Sequence, residues 1–226
     1  KQLVDEFSVE SFEDCEASET RPRYNIAPSQ KAPVVLLDPE TGARALRMMQ
    51  WGLVPFWAKQ STLKFNTINA RSESVASSPV YREPFKRRRC LVPASGFFEW
   101  QKTGGAKQPH YIHPSERGGL FAFAGLWDVW QSSGEAPLHS FSILTTTANT
   151  LMKPVHDRMP VILHEESHAL WLGEPGAKGP ESGVAGLLKP CSPDLMSRHP
   201  VSRIVNKASN DVPETIERFE PQEWDF

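Results

Sequence analysis

The sequence predicts an α+β fold: one domain over residues 1–226, built round an antiparallel β-sheet with a few short peripheral helices. Three observations lead there. Proline supplies 20 of the 226 residues, about 9% against a typical value near 5%, and a residue that breaks helix interiors favours strands and loops. Apolar or alternating runs recur between turn sequences. No internal repeat, low-complexity tract or linker divides the chain, which is long enough for a substantial core.

Taken in order, the opening Lys1–Glu19 is acidic, and Arg21-Pro-Arg-Tyr-Asn-Ile-Ala-Pro28 reads as an irregular loop. Val34–Asp38 is a strand, Pro39-Glu-Thr-Gly42 a turn and Ala43–Val54 the partner strand, together a hairpin. Arg71–Arg82 has the small and polar residues of a helix that Pro84 would stop. Cys90–Trp100 reads as a strand broken at Gly96, with a glycine-rich turn and a strand around Tyr111 beyond it. Phe121–Trp130 and Leu138–Thr147 form a second hairpin, and Val161–Leu163 is a further short strand. Glu165–Leu172 reads as a short helix ended by Gly173, and Gly173–Gly186 as a surface loop.

The formal net charge of -2 conceals a strong asymmetry. Residues 41–107 hold twelve Lys and Arg against three acidic residues, whereas Glu214, Glu217, Glu220, Glu223 and Asp225 crowd the C-terminus. A basic face aimed at a polyanion on an acidic body fits this pattern, with a solvated charged surface as the plainer alternative. Trp51, Phe56, Trp57, Phe65, Tyr81, Phe85, Phe97, Phe98 and Trp100 interleave with the basic residues. Rings stack on unpaired bases while Arg and Lys meet phosphates, although most of these rings are expected in the core.

Other function classes are disfavoured. No apolar run approaches the roughly 18 residues of a membrane span, and no charged-then-apolar leader opens the chain. Cys15, Cys90 and Cys191 lie at wide spacings without a CxxC, so neither a disulfide framework nor a zinc ribbon is expected and a reducing interior fits. His110 and His113 form an HxxH pair without a nearby acidic or thiol ligand, so no metal and no cofactor are expected. Cys90 follows Lys86-Arg-Arg-Arg89, which would lower a thiol pKa, but its apolar continuation favours a buried structural role.

Three polar groups stand out. In Asn69-Ala-Arg71 an amide and a guanidinium share one side of an extended segment, able to orient a sugar oxygen and grip a phosphate. Glu99, flanked by Phe98 and Trp100, would be desolvated and acquire a raised pKa useful for acid catalysis. His156 lies between Pro154 and Pro160 with Arg158 alongside, a proton shuttle beside a phosphate partner. Each has an ordinary structural reading in isolation: a turn Asn, a strand-edge Glu, a loop His.

As an ordered set, the segments Tyr24–Pro28, Gln50–Ala58, Asn69–Glu73, Arg89–Trp100, Phe123–Trp127, Leu144–Ala148 and His156–Pro160 closely resemble the SRAP family, named for SOS response-associated peptidases. The likeness runs from about Arg23 to Leu172, with an echo at Val201–Pro213. It implies a barrel-like sheet and a sensor of abasic sites in single-stranded DNA, where an N-terminal Cys closes a thiazolidine with the ring-opened sugar. On the matching positions, Asn69 would position the reacting groups, Glu99 would hold the amine and shuttle a proton, and His156 would assist ring opening and crosslink reversal. Arg71 and Arg158 would clamp phosphates, and Pro28, Trp51, Trp100 and Thr145 would line the single-strand path.

The family pattern begins Met-Cys-Gly-Arg, whereas this sequence opens Lys-Gln-Leu-Val. The chain as written is therefore expected to keep the groove and lack the nucleophile, since Cys15 has a peptide nitrogen that cannot form an imine. A thiol autopeptidase and a non-covalent single-strand binding module are the alternative functions. The implied protein is a monomer of the bacterial cytoplasm, associated with the nucleoid, that binds neither membrane nor metal.

Overall fold

The computed structural model describes residues 1–13, 21–134, 136–181 and 183–219. A short helix α1 (Gln2–Phe7) and strand β1 (Ser11–Glu13) lead to the first hairpin, β2 (Lys31–Leu37) and β3 (Arg44–Trp51). These strands pair antiparallel from Lys31–Gln50 to Leu37–Arg44. Asp38 closes the turn by accepting hydrogen bonds from the Glu40 and Thr41 amides at 2.8 and 2.7 Å, and Gly42 adopts a φ of 71° that suits only glycine well.

The chain continues through β4 (Asn69–Arg71), α2 (Arg82–Arg87), β5 (Arg89–Ala94), β6 (Phe97–Thr103), β7 (Ala106–Pro114), β8 (Phe121–Trp130) and β9 (Leu138–Thr147). Strands β10 (Arg158–Pro160) and β11 (Ile162–Leu163), helix α3 (His168–Leu172) and β12 (Met196–Pro200) follow. In the larger sheet the order β3-β2-β5-β8-β9 returns on itself, because β9 pairs parallel with β3 at Gln50–Ser140 and Trp51–Phe141. That bridge closes a five-strand barrel. The short strands add to its edges: β1 to β3, β11 to β8, and both β4 and β10 to β9. A second sheet, ordered β12-β7-β6, packs against the barrel.

Alternation along the strands divides the core into two layers. Val35, Leu46, Leu91, Ala124 and Leu144 meet Phe7, Phe85 and Trp171 from the three helices. Val34, Leu36, Met49, Phe123 and Ile143 meet Phe97, Ile112 and Met196 from the second sheet and Met152 from a connecting loop. Fully burying such side chains contributes about 1.5–3 kcal/mol each. The layer under the second sheet is the one that reaches the candidate site.

Two expectations change. Residues 72–81 form successive turns rather than a helix, with the Ser77 and Ser78 amides both donating to the Ser74 carbonyl. The helix starts at Arg82 instead, and Pro84 sits in its first turn, where no intrahelical amide partner is needed. Glu165–Ser167 is a 3₁₀ turn, and only His168–Leu172 is α-helical, ending at Gly173 with φ 88°.

Gly96 joins β5 to β6 where the backbone passes over β7. A Cβ there would run into the Ile112 carbonyl oxygen and come within 2.5 Å of the Tyr111 ring. Gly96→Ala should therefore cost about 3 kcal/mol through overpacking. For a chain of this size that lowers the melting temperature by roughly 6–12 °C in a thermal scan.

Candidate functional site

The site forms where the barrel face meets the second sheet. In β4 the register sets Asn69 opposite Ile143 and Arg71 opposite Thr145 of β9. On the other side of β9, Pro160 faces Thr145 and Arg158 faces Thr147. Residues directly opposite, or two apart, share a face of a sheet, so Asn69, Arg71, Thr145 and Arg158 all lie on the face whose deeper part is Ile143. Trp51 belongs to the same face, opposite Phe141 and stacked on it at 6.5 Å, with its indole N–H donating to the Ile68 carbonyl at 2.8 Å. Pro28 is exposed beside it, since the neighbouring Ser29 amide donates to the Trp51 carbonyl at 2.7 Å.

Glu99 approaches from the second sheet. It follows Phe97 by two residues on β6, and Phe97 packs edge-on against Phe123 of the barrel at 5.8 Å, so Glu99 points into the same seam. Burial pushes its carboxyl above the ordinary range, an effect that the nearby charge of His156 opposes and that of Asp157 reinforces. His156 rides on the loop between β9 and β10. The Arg158 amide donates to its Nδ1 at 3.0 Å, which makes the neutral ring an Nε2–H tautomer, and Asp157 stands 3.3 Å from the same Nδ1. A buried carboxyl and an imidazole that feel each other's charge thus sit beside a polar strand edge.

The structure qualifies the phosphate clamp. Arg158 grips Glu73 with both terminal nitrogens, at 2.5 and 2.9 Å, and also donates to the Thr145 carbonyl at 2.7 Å. That bidentate pair holds the Glu73 carboxyl down at about 2. Arg158 therefore ties β10 to the segment after β4, and its terminal nitrogens are already engaged. Arg71, by contrast, is exposed and makes no ion pair among the described residues.

Trp100 faces the other way. As the residue after Glu99 on a strand it points to the opposite face, where its indole N–H donates to the Asn206 Oδ1 at 2.7 Å and its ring packs near Tyr111, Val201 and Val205. Trp100 thus lies on the face of the second sheet opposite to Glu99. His110 and His113 also split between the two faces: His113 stacks on Tyr111 at 5.6 Å, while His110 bonds Gln101 at 3.1 Å. Among the described residues, no three metal-ligating side chains gather.

The basic stretch is partly consumed internally. Arg44 pairs with Glu174 at 2.7 Å, Arg88 with buried Asp128 at 3.3 Å, and Arg89 donates to the Phe85 and Trp171 carbonyls. The loop after β3 instead presents Phe56, Trp57 and Phe65, each about half exposed. Phe65 and Trp51 border a depression of about 290 Å³. These exposed rings, and Glu73 as the partner of Arg158, are the residues that the sequence left without a specific role. Cys15 and the acidic residues from Glu220 onward lie outside the described residues.

At the other end of the strip, Asn25 is buried and donates to the Val205, Lys207 and Asn210 carbonyls at 3.0–3.3 Å. Asp211 receives the Tyr24 and Asn25 amides and the Arg23 guanidinium. The two distant segments 23–25 and 205–211 are thereby one unit.

The fold and cleft define a β-barrel protein with a buried carboxyl and an imidazole set against an arginine-bearing edge and exposed rings. The chain belongs to the SOS response associated peptidase (SRAP) family, whose description matches residues 1–208. It is 36% identical over 215 residues to the abasic site processing protein YoqW of Bacillus subtilis, covering 95% of this chain and 93% of that protein. It is 37% identical over 225 residues to the abasic site processing protein HMCES of Gallus gallus, covering 87% of this chain and 66% of that one. A solved structure of a Bacteroides thetaiotaomicron protein superposes with a TM-score of 0.81 at 27% identity, covering 97% and 95% of the two chains. Among the described residues, no helix is long and apolar enough to cross a membrane.

Proposed function

We propose that this protein senses abasic sites in single-stranded DNA and captures them as a thiazolidine through an N-terminal cysteine of the kind that opens the Met-Cys-Gly-Arg family pattern. The observation that carries the reading is the pairing of Glu99, its carboxyl raised by burial, with His156 in the seam facing Asn69, Arg71 and Thr145. The names of the relatives support the lesion as substrate.

The described thiols do not compete for the role. Cys90 is fully buried and burial pushes its thiol far up, while Cys191 is buried and pushed up to about 11. Neither supplies a thiolate near neutral pH. An N-terminal α-amine, with a pKa near 8, is partly neutral there and can attack. The ring-opened sugar offers an aldehyde; the amine adds and one water leaves to give an imine. The thiol then adds across the C=N bond, its sulfur to carbon and its proton to nitrogen. Glu99 relays protons between amine and departing water, and the Nε2–H of His156 assists opening of the sugar ring. Asn69 orients the sugar, and Trp51 and Pro28 border the strand's path, with Phe65 offering a ring for stacking.

The test is a denaturing gel of a single strand bearing one abasic site, mixed with protein that begins Cys-Gly-Arg ahead of Lys1 or with the sequence as written. A retarded band from the first alone is the expected result. No band from either overturns covalent capture and leaves non-covalent binding. Arg71→Ala should weaken binding to any single strand and flatten the dependence of log K on log salt by about 0.7, the slope of one phosphate contact on single strands. Titrations at several salt concentrations read this directly.

A further inference from the structure

The face of the second sheet that carries Glu99 does not end at β6. In register, Glu99 stands opposite His110 and His110 opposite Pro200. Arg198, two residues before Pro200 on β12, shares that face. Strands lie about 4.8 Å apart, so this row leads roughly 10 Å from Glu99 to a separate cavity of about 560 Å³. His110, Ser197, Arg198 and Arg218 supply its polar lining, and Met196, Pro200 and Leu151, the last from the loop that also carries His156, its apolar lining.

The charge balance of this cavity is unusual. Among the described residues, two guanidiniums line it and no carboxylate does. Arg218 has no ion pair among the described residues, and Arg198 makes a long contact, Nη1 donating to the His110 Nδ1 at 3.4 Å. His110 completes the relay by donating from Nε2 to the Gln101 Oε1 at 3.1 Å, and Gln101 donates to the Pro154 carbonyl at 3.2 Å. That chain fixes His110 as a neutral acceptor toward Arg198. Burial and the charges of Arg198 and His199 hold His110 down at about 4. Among the described residues, the cavity therefore concentrates positive charge that no carboxylate of its wall neutralises.

We infer that this cavity is a second anion site, taking a phosphoryl group between Arg198 and Arg218. Guanidinium forks match phosphate oxygens two at a time, and a half-buried arginine such as Arg198 gains more from such a partner than an exposed one does. The group can come from the backbone of a DNA strand or from a free phosphate compound such as a mononucleotide. The inference rests on the cavity and its charges and does not need the abasic-site reading.

Titrating the full chain with inorganic phosphate, and separately with an undamaged single-stranded oligonucleotide, tests it through the imidazole proton resonances. The His110 signal should shift saturably with phosphate, and the apparent affinity should fall at least tenfold in both Arg198→Ala and Arg218→Ala. Arg218 is exposed, so its variant keeps the test valid if the Arg198 variant folds poorly. If the oligonucleotide displaces phosphate, the DNA backbone is the ligand; if both bind together, a free phosphate compound is. An absent shift with both probes, or an equal shift with chloride at matched ionic strength, overturns the site.

Discussion

Glu99→Gln will abolish most covalent capture while leaving DNA binding nearly intact. The substitution keeps the shape of the side chain and removes its proton relay, an effect worth about 10²–10⁴-fold in rate for a positioned general acid–base group. Affinity for a single strand should change by less than about twofold, because Glu99 carries the wrong charge for phosphate and sits in the seam behind the exposed rim. A stability effect of opposite sign accompanies it. Burial raises the Glu99 carboxyl in the folded protein above its unfolded value of 4.5, so as pH climbs past 4.5 the folded state keeps a proton that the unfolded state has lost. The stability tied to its protonated form is thus complete below that pH and is lost as pH rises through the raised value. Glutamine does not titrate. The variant should therefore gain in melting temperature relative to the parent between pH 4 and pH 8 while its capture rate collapses. Equal loss of capture and of DNA affinity would contradict the catalytic role.

His156→Ala should slow capture by about 10–10²-fold, less than loss of Glu99, because the ring-opened aldehyde also forms without help. The same change should slow reversal of the adduct, since a group that assists ring opening acts on the same bonds in both directions. Single-turnover time courses on denaturing gels, forward and after dilution into excess aldehyde-reactive competitor, separate the two rates. The Arg158 amide loses its acceptor at Nδ1 in this variant, so His156→Asn, which can still accept there, is the matching control. Slow capture in both variants assigns the effect to the imidazole; recovery in Asn alone would assign it to loop positioning.

Much of this arrangement was legible in the residues because its signals are local. The hairpin over 31–51 follows from Asp38 and Gly42, and the break at Gly96 from its own glycine. The long strands β8 and β9 match their apolar runs end to end. Residues 72–81 misled because serine and alanine tolerate a helix, yet here serine carbonyls close consecutive turns. Three-residue strands such as β4 and β10 carry no periodicity of their own, and their partner β9 defines them.

For the site, the ordered segments named the polar groups but not their partners. Glu73 lies 85 residues before Arg158 in sequence, and no spacing rule joins the two. The direction of Trp100 was available from strand alternation, because neighbours on a strand cannot face the same seam. Likewise, the basic run Lys86–Arg89 marks an electrostatic excess, but Arg88 and Arg89 are spent on Asp128 and on backbone carbonyls. Only the packed structure separates the arginines that hold the fold from Arg71, which is left to meet solvent.

The central claim is that an N-terminal cysteine and an abasic aldehyde join with loss of one water in a seam governed by Glu99 and His156. Intact-mass measurement of the captured complex, followed by peptide mapping, tests it most directly. The expected mass equals protein plus DNA strand minus one water, localised to the N-terminal cysteine and present without any added reductant. An adduct mapped to a lysine, or one that survives only after borohydride reduction, would contradict it.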